Sequence, residues 1–396
     1  MNPISNPYVF GSGQPPPLLA GRAALCERVR IGLARLRVGR STKGVLMVGL
    51  RGVGKSVLLQ KMRSEAEAEG VYTLWIDDPD QHSLPALLAP QLRLVLLRLR
   101  QVEPAKDAAG RVLQALAGFS RALEGALHDR LVDLDFDAEA AGLACNGQVE
   151  DDAITLLEQT GMAVKLAGSA LVLFIDECQC IDQAQLSSLI GVLHRCAQLR
   201  LPVTVVGAGL PTLRGLMGDA KAYAERLFDF PGIGPLSVFE AALAIVQPAE
   251  GEGAGFEAQA VDLIVAKTQG YPLFLQALAS HAWDLATGNV IAPADVERAS
   301  YVTLKMLDEG YFRVQLERLT PMEKHYLRAM AELGPGPHRS GEIAERQGRR
   351  VQAVAPVRNS LIGKGLIWSP EHGDTAFTVP FFDEFMRRIM PELTGR

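Results

Sequence analysis

Apolar positions along this 396-residue chain follow two spacings, and the balance between them shifts from the first half to the second. Residues 44–48, 71–76, 171–175 and 201–207 are short, continuous apolar runs rich in β-branched side chains, which predicts buried strands. Residues 23–38, 57–63, 83–100, 105–127, 151–166 and 186–198 place apolar side chains three and four apart, which predicts helices, with Asp151 or Asp152 as one cap. A helix over 220–227 and a short strand over 228–230 complete this unit. The alternation predicts an α/β fold, a parallel sheet sandwiched by helices. Residues 77–170 are far more than one crossover needs, so about 80–168 reads as a helical insertion, with a small period-two strand at 131–137.

From residue 236 the strand signal disappears. Residues 237–247, 255–268, 272–285 and 292–307 all carry helical spacing, with Pro272 placed as the first residue of a helix. Thr320-Pro321-Met322-Glu323 then opens a helix as a capping box. Ser340 is expected to cap a short helix over 341–347, and a third helix spans 351–364. Residues 365–368 and 376–379 flank a turn as a hairpin, so the last segment predicts a winged helix-turn-helix whose third helix would enter a DNA groove. The expected domains are an extended arm (1–17), an α/β domain (18–235), an α-helical lid (236–315) and a winged helix (316–396).

Composition narrows the class. Hydrophobic residues at 48% and charged ones at 21% describe a globular chain. Five cysteines, an odd number, argue against a disulfide framework and for a reduced, cytoplasmic setting. Neither a secretory leader nor an apolar run of about 18 residues is present, so no membrane span is expected. The net charge of −5 means that any nucleic-acid site must be local. From Thr320 onward the chain has 11 Lys and Arg against 9 Asp and Glu, so its tail is the least acidic part. Arg349, Arg350, Gln352, Arg358 and Lys364 are the expected DNA contacts around the third helix. The alternative for this tail is a protein partner. Arg93, Arg98, Arg100 and Arg111 read as a solvated face of the insertion.

Two motifs carry chemistry. Gly49-Leu50-Arg51-Gly52-Val53-Gly54-Lys55-Ser56 is a complete phosphate-binding loop between a strand and a helix that continues at Val57. Its glycines admit backbone at positive φ, and its N–H groups and helix start converge on a phosphate. Lys55 would reach the terminal phosphates and Ser56 would ligate Mg²⁺. Residues 171–175 run into Asp176-Glu177 at the carboxyl end of a strand. Asp176 would hold Mg²⁺ and Glu177 would act as general base. No Asn-Lys-x-Asp guanine signal accompanies them, which favours ATP over GTP. Cys178 and Cys180 lack a second pair or a histidine cluster and read as packing residues.

With these pieces in order, the chain resembles bacterial AAA+-type P-loop ATPases with an origin-recognition-like module, a helical lid and a C-terminal winged helix. The residues that carry the resemblance are 19–22, 49–56, 174–177, 206–211, 223–228 and Gly270-Tyr271-Pro272. The resemblance implies that Leu19 and Arg22 lie near the adenine and that Arg226 is an arginine finger acting on a neighbouring copy. Gly270-Tyr271-Pro272 resembles the Gly-x-Pro of signalling (STAND-like) ATPases, which places Pro272 at the nucleotide. The chain departs from the AAA+ pattern where Gly207-Ala208-Gly209 replaces a sensor Asn or Thr. Together these imply a slow ATP/ADP switch with a nucleotide-dependent homo-oligomer.

Overall fold

A computed structural model of the protein describes residues 1–11, 14–77, 79, 83–127, 149–371 and 373–392. Five parallel strands form its centre: β1 (Gly44–Val48), β2 (Tyr72–Ile76), β3 (Leu171–Ile175), β4 (Val203–Gly209) and β5 (Phe228–Asp229). Their spatial order is β2-β3-β4-β1-β5, with Val45 opposite Val206 and Leu173 opposite Val205. β1, β3 and β4 are buried along their whole length, as unbroken apolar runs require of a sheet covered on both faces. Alternate side chains serve opposite faces. Val45 and Met47 pack with α1 (Ala23–Arg37) and α2 (Lys55–Ala68) through Leu33, Leu58 and Met62. Leu46 and Val48 belong to the core on the other face, shared with α3 (Leu84–Leu99), α4 (Lys106–Leu127), α5 (Val149–Leu166) and α6 (Gln183–Gln198).

The insertion therefore completes the sheet. α3 also closes its β2 edge: the Gln91 side chain donates to the Trp75 carbonyl and accepts from the Trp75 N–H, occupying groups that an open edge would expose. Arg98, Arg100 and Arg111 are exposed and Arg93 is half-buried. The strand expected at 131–137 and the side chains of Asp151 and Asp152 lie outside the described residues. The helix expected at 220–227 is instead two, α7 (Leu213–Ala220) and α8 (Ala224–Leu227), separated by an extended Lys221. Gly215 and Gly218 weaken the helical signal of α7, and burial of Leu213 and Met217 overrides it.

The helical region that follows comprises α9 (Val238–Gly251), α10 (Ala258–Thr268), α11 (Pro272–Leu285), α12 (Pro293–Met306) and α13 (Arg313–Glu317). Two strands too short to read from sequence, β6 (Gly255–Phe256) and β7 (Val290–Ile291), pair parallel within it. Its core around Leu275, Leu278 and Trp283 includes Tyr8 of the N-terminal arm. The arm is tied down: the Trp283 Nε1–H donates to the Asn2 carbonyl at 3.0 Å, and Asn6 Nδ2 donates to Ser280 and Asp284.

The last segment is a winged helix: α14 (Pro321–Glu332), β8 (His338–Arg339), α15 (Ser340–Arg346), α16 (Val351–Gly363), β9 (Ile367–Trp368), β10 (Asp374–Phe377) and α17 (Phe382–Ile389). The expected hairpin gains β8 as a third antiparallel strand, in the order β8-β10-β9. The capping box forms as read, with Thr320 Oγ1 accepting from Glu323 N and Glu323 Oε2 accepting from Thr320 N at 2.7 Å. Ser340 is the first residue of α15 rather than its cap. Glu342 accepts the Arg339 N–H at 2.9 Å, while Ser340 Oγ donates to Gly373 O at 3.0 Å. Phe274 of α11 joins this domain's core with Phe312, Phe382 and Phe385. Among the described residues no helix is long and apolar enough to cross a membrane.

Candidate nucleotide site

The phosphate-binding loop leaves β1 between β4 and β5 and enters α2. Gly52 and Gly54 sit at φ +77° and +87°, a backbone region that residues with a Cβ rarely occupy, so the turn depends on these glycines. Lys55 is buried at 6% exposure, and its Nζ donates to the carbonyls of Gly49 at 3.0 Å and Leu50 at 2.9 Å. Asp176, at the end of β3, is also buried; it is hydrogen-bonded to Ser56 and accepts the Glu177 N–H at 2.9 Å.

Burial dominates the electrostatics here. It lowers the Lys55 pKa, against the raising pull of Glu177 and Asp176. It raises the Asp176 pKa, against the bonds from Ser56 and the Glu177 N–H. Both groups are charges short of partners. They fit an anion at Lys55 and a cation between Ser56 and Asp176, the pairing that a metal-bound polyphosphate supplies. Among the described residues no group of three His, Cys, Asp or Glu side chains could hold a metal ion alone, so such an ion would draw its remaining ligands from phosphate and water.

A cavity of about 310 Å³ opens above the loop. Leu19, Arg22, Arg51, Gly52, Val53, Gly54, Lys55, Ser56, Val57 and Pro272 line it with Glu177; Gly49 contributes only its carbonyl to Lys55. Arg22 also donates to the Gly234 carbonyl, and burial lowers its pKa. Sequence reasoning missed several walls. Val9, Phe10 and Pro16 come from the arm, Gln276 from α11, and Tyr311 from the segment after α12. Tyr311 is pushed up to about 12 by burial. A polar, Pro-rich arm has no periodicity to announce its role, although the apolar Val9-Phe10 pair within it was a signal.

The loop is also held from two sides. Leu273 N, in α11, donates to Gly52 O at 3.2 Å, and Arg51 N donates to Thr378 O of the winged helix at 3.1 Å. A Cβ added at Gly365 of the winged helix would lie 3.3 Å from Arg51 Nη2.

The other expected residues lie elsewhere. Arg226 is exposed on α8 and does not line the cavity. Arg349, Arg350 and Gln352 are exposed at the start of α16. Two expected DNA contacts bond to the winged helix's own residues, Arg358 half-buried and Lys364 exposed. Arg358 donates to Thr375 Oγ1 at 3.0 Å, Ser369 Oγ at 2.9 Å and Asp374 O at 3.1 Å. Lys364 pairs with Glu323 at 2.7 Å and donates to Arg318 O at 3.1 Å. Thr375 and Glu323 are the buried members of these partner sets. Cys178 is a buried packing residue in a short 3-10 turn, Cys178–Cys180, and burial raises its thiol.

Residues 18–206 match the AAA ATPase domain family, and residues 309–386 match a domain of unknown function (DUF8462). No curated protein matches the chain. Among solved structures, the Walker-type ATPase of Pyrococcus abyssi superposes with a TM-score of 0.59 at 15% identity, over 93% of this chain and 96% of that one. The Orc1 protein of Aeropyrum pernix, solved in complex with DNA, gives 0.48 at 16% identity over 95% and 94%. Cdc6p of Pyrobaculum aerophilum gives 0.47 at 15% identity over 99% and 98%. At 15% identity the likeness to the Pyrococcus abyssi ATPase is one of fold. The match to the AAA ATPase domain family thus spans the parallel sheet as far as β4, and a helical region and a winged helix follow the sheet.

Proposed function

We propose that this protein binds and slowly hydrolyses Mg·ATP, and that its nucleotide state sets the position of the lid and winged helix. The observation that carries this reading is the double grip on the loop, Leu273 to Gly52 and Thr378 to Arg51. Any change in loop backbone on phosphate binding is passed directly to both domains.

In this reading Lys55 and the loop N–H groups hold the phosphates. Ser56 and Asp176 hold Mg²⁺, which neutralises phosphate charge. Leu19, Arg22 and Pro272 enclose the base and ribose. Glu177 takes the proton of a water whose oxygen bonds to the γ-phosphorus, and ADP leaves with the bridging oxygen. Arg226, exposed on α8, is available to complete the site of a second copy. The test measures ATP turnover and nucleotide affinity for wild type and Glu177→Gln. The variant is expected to bind ATP and to lose at least about a hundredfold in turnover; unchanged turnover removes Glu177 from the mechanism.

The output is assigned to double-stranded DNA through Arg349, Arg350 and Gln352, which are exposed together at the start of α16. One observation favours a protein partner instead: Val351, an apolar side chain at the start of α16, is 44% exposed. DNA binding measured by anisotropy with ATP, with ADP and without nucleotide decides between them. Absence of binding at low salt would leave the protein partner.

A further inference from the structure

The end of β4 lies beside the phosphate-binding loop, where Gly49 N donates to Gly209 O at 3.1 Å, and it carries no polar side chain, because Gly207-Ala208-Gly209 and then Leu210 occupy it. The structure supplies a polar group there from a different element. Gln179 lies in the 3-10 turn just after Glu177, and its amide points in two directions. Its Nε2 donates to Glu177 Oε2, and its Oε1 accepts the Leu210 N–H at 2.9 Å. Gly209 makes room for it: a Cβ at that position would lie 2.7 Å from Gln179 Oε1. Glu177 itself has φ +46°, a left-handed conformation that residues with a Cβ rarely adopt and that persists only where its surroundings impose it.

We infer that Gln179 is a positioning residue for hydrolysis: its amide orients the Glu177 carboxylate and ties it to the end of β4. This rests on the assignment of Glu177 as general base. A carboxylate on a solvent-facing turn has several rotamers, and a base must lie within hydrogen-bond reach of its water to act. One amide that bonds both the carboxylate and the adjacent strand end limits those rotamers and links their geometry to β4.

The two bonds can be separated in the full-length protein. Gln179→Glu keeps an acceptor for the Leu210 N–H but replaces the donor to Glu177 with a like charge. Gln179→Leu removes both bonds. Gly209→Ala displaces the same amide from the other side. Melting temperature, ATP affinity, KM and kcat are read for all three and for Glu177→Gln. Each of the three is expected to lower kcat about tenfold or more, with ATP affinity and KM within about twofold of wild type, because the lost interaction acts on the reacting geometry and not on nucleotide binding. Wild-type kcat in folded Gln179→Glu, with Gln179→Leu slow, would overturn the inference and leave Gln179 as a packing bond to β4. Wild-type kcat in both would overturn it as well. Undiminished turnover in Glu177→Gln would instead remove the general-base assignment, so the two failures are distinguishable. Should Gln179→Leu fail to fold, Gln179→Glu and Gly209→Ala decide.

Discussion

Lys55 and Glu323 are both buried charged side chains, at 6% and 3% exposure, and their surroundings treat them in opposite ways. Lys55 has two backbone carbonyls for company, and burial lowers its pKa. Glu323 is penalised by burial too, but bonds from Lys364, Ser360 and Thr320 outweigh the penalty and bring its pKa down to about 2. The winged helix satisfies this charge with its own groups. The phosphate-binding loop leaves its charge to be satisfied by a ligand, and Asp176, raised by burial, is the same case with the opposite sign. Of these buried charges, the two whose shifts are set by burial stand at the phosphate-binding loop, and the one whose partners win stands in the winged helix.

The strongest way to break this comparison is Lys55→Met. ATP affinity should fall by about a hundredfold or more, on the order of 3 kcal/mol for a lost charged phosphate contact. The unliganded melting temperature should hold or rise, because a buried charge without a counter-ion is exchanged for an apolar chain of similar length. A calorimetric titration and a thermal melt read both; a large loss of stability would place Lys55 in the same class as Glu323. Next in size is Glu323→Gln, expected to destabilise the winged helix by about 2 kcal/mol, because Lys364 loses its buried partner and the cap of α14 weakens. Hydrogen exchange over residues 321–389 against the rest of the chain localises the effect.

The acid response sharpens the contrast. Glu323 falls from 4.5 to about 2 in the folded protein, so its contribution is complete above pH 4.5 and is lost as pH drops toward 2. Asp176, raised by folding, has the opposite sign: its ionisation opposes stability at higher pH, and protonation relieves that cost as pH falls. Melts from pH 6 to 3 (about one to two kcal/mol of change) should therefore show the difference between wild type and Glu323→Gln shrinking as the pH is lowered. The smallest expected effect is on the exposed charges. Arg349→Glu with Arg350→Glu should reduce DNA affinity about tenfold and lower the salt slope by about two, with no change in melting temperature. Unaltered DNA binding would assign α16 to a protein partner.

Much of the fold was legible because its signals are local. Continuous apolar runs at 44–48 and 171–175 could satisfy their burial only inside a sheet covered on both faces. The capping box at Thr320 and Glu323 could be read from four residues. α7 was hidden by Gly215 and Gly218, whose low helix propensity is overridden by packing that no window of sequence contains. The strands β6, β7 and β8 are two residues each, too short for any periodicity. The bonds of Arg358 and Lys364 to their own domain were not legible, because a basic side chain carries no mark of which acceptor awaits it.

The sequence by itself specified the chemistry: one strand, turn and helix fix Lys55 and Ser56, and Asp176 and Glu177 are marked by their type at the end of an apolar strand, which the sheet then brings to Ser56. Tertiary structure alone decided what surrounds that chemistry. It brought the arm's Val9 and Phe10 to the cavity above the loop, set Thr378 against Arg51, and put Gln179 between Glu177 and the end of β4. These contacts join residues far apart in the chain or turn on one side-chain rotamer, and neither kind leaves a periodic trace in the order of the amino acids.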